Sequence, residues 1–252
     1  MKKYLFLILL IATASPIFAQ KGRYKRTYHE YYDSRPLHFG FLFGLAGSNY
    51  NYISSYSSID EILSPKFFGF QIGGIVNYAL TPHIELKSGI NVALFERHIN
   101  YNTYEGTKTN PFNSLIEPKN LNFYRESTWL EIPVVVKLRS LRRKNNRFYM
   151  VAGFKLAVES NSREADNRPN SPDPNSTEYN HTIFAKKTDL TLEYGFGFEH
   201  FFQFFKFSPE IRFSHGLFNL YQSPTTFDPV AERLKQISQL NTHTVSLILN
   251  FE

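Results

Sequence analysis

The chain contains no cysteine, so neither a disulfide framework nor a thiolate metal site can form. Beyond its first twenty residues it has no apolar run of the roughly 20 residues that a membrane-spanning helix needs. Charge of one sign is also scarce. The formal net charge is +6, or +4 without Lys2 and Lys3 (6 − 2), too mild a surplus to argue for nucleic acid as a partner. The glycine-rich stretches Gly40 to Gly47 and Gly69 to Gly74 are not followed by helical patterns, which excludes a phosphate-cradling loop.

The first residues set the compartment. Lys2 and Lys3 precede an apolar or small-residue run from Tyr4 to Ala14, and Ile17-Phe18-Ala19 places a small residue before Gln20. A charged start, a short apolar stretch and a small residue at the cut read as a secretory signal over residues 1–19. No cysteine follows to carry a lipid anchor. The mature chain then has the length of one domain. Its average hydropathy is mildly polar, as in a soluble secreted protein. Transmembrane barrel strands have the same property, because they alternate apolar and polar residues. The abundance of aromatics, 25 Phe and 16 Tyr, favours the barrel, whose interfaces carry aromatic girdles.

Period-2 alternation marks half-buried strands, and eight segments show it. In the first, Leu37 to Tyr50, Leu37, Phe39, Phe41, Phe43 and Leu45 share one face. The others run about Phe67 to Ala79, His83 to His98, Ser127 to Arg139, Arg147 to Glu159, Thr188 to His200 and Phe207 to Leu217. The last closes the chain with Val245, Leu247, Leu249 and Phe251 on one face. Pro133 interrupts the fourth segment and removes a ladder donor, so a bulge is expected there. The connections Leu80 to Pro82, Ser140 to Asn146 and Phe201 to Lys206 are short. Asn51 to Lys66, Ile99 to Glu126, Ser160 to Lys187 and Phe218 to Leu240 are long. Short periplasmic turns alternating with long outer loops define an all-β, eight-stranded antiparallel transmembrane barrel with both termini in the periplasm. The sequence therefore divides into a signal (1–19), a basic and aromatic periplasmic segment (20–36) and an outer-membrane barrel (37–252).

The face opposite the apolar one carries Glu85, Lys87, Glu131, Lys137, Arg139, Lys155, Glu193, Glu199, Glu210 and Arg212. Gly69, Gly73, Gly89, Gly153, Gly195 and Gly197 lie on the same face, where a narrow barrel needs small residues. Side chains fill an eight-stranded barrel, and charges of both signs inside it are expected to pair. The other reading is a catalytic carboxylate or a selective channel. Two basic clusters, Lys21 to Arg26 and Arg142, Arg143, Lys144 and Arg147, suit the anionic inner leaflet or simple solvation.

No catalytic set is evident. Ser214 and His215 are adjacent, and neighbours on a strand point to opposite faces. His83, His98, His181, His200 and His243 lack metal-ligand spacing. No enzyme activity, cofactor or metal is expected. Asn161 to His181 is rich in Asn, Pro, Asp and Ser and is expected not to order alone. The aromatics between Asn100 and Arg125 either cover the barrel mouth or dock a partner.

Three segments carry a family resemblance. Tyr32-Asp33-Ser34-Arg35-Pro36-Leu37-His38-Phe39-Gly40-Phe41 resembles the start of PorT-family barrels of the Bacteroidetes. Ser127-Thr128-Trp129-Leu130-Glu131-Ile132-Pro133-Val134-Val135-Val136-Lys137 and Arg212-Phe213-Ser214-His215-Gly216-Leu217 are similar to later strands of the same family. The Leu-Glu-Ile-Pro portion is common to related barrels, and the opening segment narrows the resemblance to PorT. It implies a non-enzymatic role in type IX secretion of sorting-domain cargo and, in some species, gliding motility. The implied partners are outer-membrane lipid and other type IX secretion envelope proteins. The alternative is a stand-alone barrel acting as a surface adhesin or a lipid-modifying enzyme.

Overall fold

The structure is a computed structural model and describes residues 27–29, 31–54, 61–104, 118–163, 179–182, 185–222 and 237–252. It contains ten strands: β1 (Leu37–Ser54), β2 (Glu61–Leu63), β3 (Phe67–Ala79), β4 (Ile84–Tyr104), β5 (Pro118–Arg139), β6 (Asn146–Arg163), β7 (Tyr179–Thr182), β8 (Thr188–Phe201), β9 (Lys206–Gly216) and β10 (Ile237–Phe251). One turn of 3-10 helix, Tyr32–Ser34, precedes β1. Eight strands close into an antiparallel barrel in the order β1, β3, β4, β5, β6, β8, β9, β10, with β10 returning to β1. The closing pair sets Phe41 opposite Phe251, their rings stacked at 5.0 Å. β2 and β7 are short additions at the long-loop end, on β4 and β5 respectively.

The alternation dictates which side chains turn inward. Along β1 the outward Leu37, Phe39, Phe41, Phe43 and Leu45 are exposed while Leu42, Ala46, Ser48 and Tyr50 are buried. Leu130, Ile132, Val134, Val136 and Leu138 of β5 are likewise exposed, and Glu131, Lys137 and Arg139 are buried. The result inverts a water-soluble protein, in which charged residues are almost never fully buried unless paired. A continuous apolar exterior of this extent requires lipid around it. Sheets cross lipid only when closure pairs every backbone group.

Two glycines show how tightly the interior is filled. A Cβ at Gly197 would lie 2.6 Å from the Tyr149 hydroxyl, and one at Gly69 would lie 2.7 Å from the Phe95 ring. Each glycine leaves the space that a neighbouring ring occupies, as the sequence suggested for a narrow barrel.

Several boundaries differ from the sequence reading. β4 and β5 run past the barrel to Tyr104 and back from Pro118, so much of the supposed second long loop is strand. No register shift occurs at Pro133. Ser88 pairs with Val134 and Asn91 with Glu131 in one unbroken register, and the pairing merely lapses opposite the proline. Pro133 still pairs with Lys155 on its other side, and the β5–β6 shift falls at Thr128/Trp129. A lone proline needs only one missing donor on one side, so the ladder skips it. Most of Asn161 to His181, the Lys21 to Arg26 cluster and the side chains between Asn100 and Arg125 lie outside the described residues or side chains.

Candidate functional site

Inward-facing residues from six strands build a charged lumen in layers. In its middle, six charges alternate in sign across the barrel. Lys87 Nζ lies 3.2 Å from Glu210, and Arg212 joins Glu210 at 2.5 Å to Glu193 at 3.0 Å. Lys155 then joins Glu193 at 3.2 Å to Glu131 at 2.9 Å. Polar side chains take up further positions. Tyr149 donates to Glu210 at 3.0 Å, Ser214 donates to Glu193 at 2.8 Å, and Lys87 donates to Asn250 at 2.9 Å.

A second layer lies toward the short-turn end. Glu199 accepts from Lys137, from Arg147 at 2.5 Å and from Lys206 at 3.2 Å. Glu85 faces Lys137 at 3.3 Å and Arg139 at 3.6 Å, while Glu252 faces Lys206 at 2.7 Å. Each ion is therefore matched by opposite charge at close range, which buried ions require if desolvation is not to dominate. All ten residues singled out from the sequence are buried in these two layers.

Arg147, Lys206 and Glu252 complete the second layer but were not singled out: Arg147 was grouped with the basic cluster of the neighbouring turn, Lys206 was placed one residue before its strand, and Glu252 follows the last alternating residue. They are in phase with Tyr149, Ser208 and Asn250 respectively, and that phase was the available signal. Arg147 thus belongs to the lumen rather than to an external basic fringe. Arg142 is also committed: it packs over the Phe201 ring at 3.7 Å and donates to the backbone oxygens of Tyr28 and His29.

Those last contacts belong to a plug over the short-turn mouth, formed by residues 27–29 and 31–36. His29 takes a left-handed φ of 51° within it. Asp33 lies 2.8 Å from Arg147, 3.7 Å from Arg139 and 3.9 Å from Arg142. Tyr32 stacks on His38 at 3.8 Å and donates to Glu252 at 2.6 Å. Tyr28 N–H donates to Asn145 at 2.9 Å. Burial, together with the Glu252 carboxylate, pushes the Tyr32 phenol well above its ordinary value and keeps it protonated. Burial alone would raise the Glu252 carboxyl, but Lys206 and Lys137 hold it at about 2.

Toward the long-loop end, Arg97 donates to Ser48 at 2.8 Å and lies over the rings of Phe95, Trp129 and Tyr50 at 4.9 to 5.6 Å. Tyr50, Ile99, Leu220, Ile237 and Leu240 form an apolar cluster beyond it. Ser214 and His215 do point to opposite faces. Ser214 bonds to Glu193 inside, and His215 bonds to Tyr194 at 3.0 Å and His243 at 3.1 Å outside. Of the other histidines, His83 contacts the Arg139 carbonyl, His98 pairs with Glu96 and His200 with Asn146. The His181 side chain lies outside the described side chains. Among the described residues no group of three or more His, Asp or Glu is placed to hold a metal ion.

A closed antiparallel barrel with an apolar exterior and an ion-paired interior defines an outer-membrane β-barrel protein. The chain belongs to the outer membrane protein beta-barrel domain family, whose model matches residues 18–222. Solved barrels resemble it weakly. Neisserial surface protein A is 10% identical, with 86% of this chain and 98% of that one covered and a TM-score of 0.38. OprG from Pseudomonas aeruginosa is 12% identical, with coverages of 86% and 93% and a TM-score of 0.43. Ail, the attachment invasion locus protein of Yersinia pestis, is 11% identical, with coverages of 86% and 97% and a TM-score of 0.31. Likeness at this level carries no argument about function. No curated protein matches the sequence.

Proposed function

We propose that this barrel is a non-enzymatic subunit or assembly factor of the type IX protein secretion system. In this reading it sits in the outer membrane with both termini in the periplasm and works through its surfaces on other envelope proteins of that system. The observation that carries the reading is the resemblance of Tyr32 to Phe41, Ser127 to Lys137 and Arg212 to Leu217 to PorT-family barrels. Those segments hold the plug and much of the lumen: Asp33, Trp129, Glu131, Lys137, Arg212 and Ser214 all engage in the contacts described above. A lumen crowded with paired charge supports a role other than a diffusion pore. Short turns on one side and long connections on the other support the periplasmic orientation of the termini.

Deleting the gene and following cargo that carries type IX sorting domains tests the proposal. Unprocessed cargo retained in the cells, with secretion restored by the intact chain, is the expected outcome. Normal secretion would overturn it and leave a stand-alone barrel, an adhesin or a lipid-modifying enzyme.

A further inference from the structure

Beside the plug, at the short-turn rim of the barrel, lies a groove of about 590 Å³ that the ion-pair network does not use. Tyr28, His29, Tyr31, Arg35, His38 and Phe204 contribute to its walls. Its unpartnered polar groups are a cation and two hydroxyls. The Arg35 guanidinium and the Tyr28 and Tyr31 hydroxyls have no side-chain partner among the described residues. The one carboxylate on the wall, Glu252, is already engaged by Lys206 and Tyr32. A groove with an unpaired guanidinium, two hydroxyls free to donate and its carboxylate already engaged suits an anion.

Its surroundings specify what the anion is attached to. Phe204 forms the tip of the short turn between β8 and β9 and is 84% exposed. Leu37 and Phe39 follow Arg35 within four residues and are outward-facing and exposed. A cationic groove therefore opens where the lipid-facing surface of the barrel ends, next to apolar side chains with nothing else to cover them.

We infer that the groove holds the phosphate headgroup of a membrane phospholipid, with Arg35 on the phosphate and Phe204 beside the acyl chains. The inference concerns the barrel itself and stands or falls independently of the secretion role. It assigns a function to Arg35, which makes no ion pair among the described residues.

Native mass spectrometry of the full chain, freed of lipid and titrated with phosphatidylethanolamine or phosphatidylglycerol, tests it. One phospholipid should be retained per chain. Arg35→Gln should weaken retention about tenfold, as should Phe204→Ser, while diacylglycerol, which lacks the phosphate, should not be retained. Heat-modifiable gel mobility verifies that each variant is folded, and both positions lie outside the strands. Equal retention by Arg35→Gln and the unaltered chain would overturn the assignment, as would binding of diacylglycerol. Binding of inorganic phosphate without phospholipid would overturn it too, by showing that the anion is not carried by lipid.

Discussion

The Asp33 carboxylate lies 2.8 Å from the Arg147 guanidinium, joining a segment that precedes the first strand to a strand well round the barrel. Arg147 in turn holds Glu199 at 2.5 Å. The plug and the lumen are thus one electrostatic unit. Lys137, Arg139, Arg147 and Lys206 in the second layer face Glu85, Glu199 and Glu252, and Asp33 supplies the fourth negative charge.

Asp33→Asn removes that charge and leaves three arginines facing an amide. Hydrogen bonds to charged groups contribute about 1.5–3 kcal/mol each, and Asp33 is one-third exposed, so a local loss of about 1–2 kcal/mol is expected. Chymotrypsin should then cleave at Tyr28, Tyr31 or Tyr32 about tenfold faster in the folded barrel, because local opening sets that rate. Unchanged cleavage would mean that the plug is held by its aromatic contacts alone.

Glu199→Gln tests the lumen. It leaves Lys137, Arg147 and Lys206 without their shared carboxylate, and breaking a buried pair costs about 3–5 kcal/mol. Unfolding from lipid vesicles in denaturant should show a loss of that order. A loss under about 1 kcal/mol would contradict a tightly coupled network.

Glu252 supplies a pH dependence with a definite sign. Its folded value of about 2 lies below the ordinary 4.5. Its contribution is therefore fully present above about 4.5 and is lost as pH falls toward 2. The facing groups are Lys206, Lys137, Glu199 and the Tyr32 hydroxyl. A carbon-detected NMR titration of labelled glutamate in detergent should place the Glu252 midpoint near 2. A midpoint between 4 and 5 would show that Lys206 is not its partner in solution.

Lys144, in the turn between β5 and β6, has a left-handed φ of 57°. Glycine adopts that conformation without penalty, whereas other residues lose about 1 kcal/mol or more. Lys144→Gly should therefore leave the barrel as stable or slightly more so in the same unfolding assay. A clear loss would show that the lysine makes a contact worth more than the strain.

Much of this architecture was legible because the alternation of lipid and lumen faces is written residue by residue. β3 runs over Phe67–Ala79 as read, and the ten lumen residues were legible for the same reason. The signal fades where the membrane ends. Between Asn100 and Arg125 no lipid enforces an apolar face, so the extensions of β4 and β5 were read as loop. Strand ends are set by neighbouring strands, which is why Lys206 was assigned to a turn, while Arg147, at the first residue of its segment, was grouped with the adjacent basic cluster. Pro133 misled because a missing donor suggested a bulge, although the partner strand absorbs the gap. Asp33 could not be read from spacing, since its partners lie more than a hundred residues along the chain. Only the family resemblance singled out its segment.

The central claim is that this barrel is filled by paired charge among its described residues and stoppered at its short-turn end, so that it is not an open pore. Planar-bilayer recording of the purified, folded full chain tests it most directly. The account predicts a silent bilayer at physiological salt, with no stepwise current. Stable open-channel currents would contradict it, because they require a continuous water path through the layers of Glu199, Glu210 and Glu193.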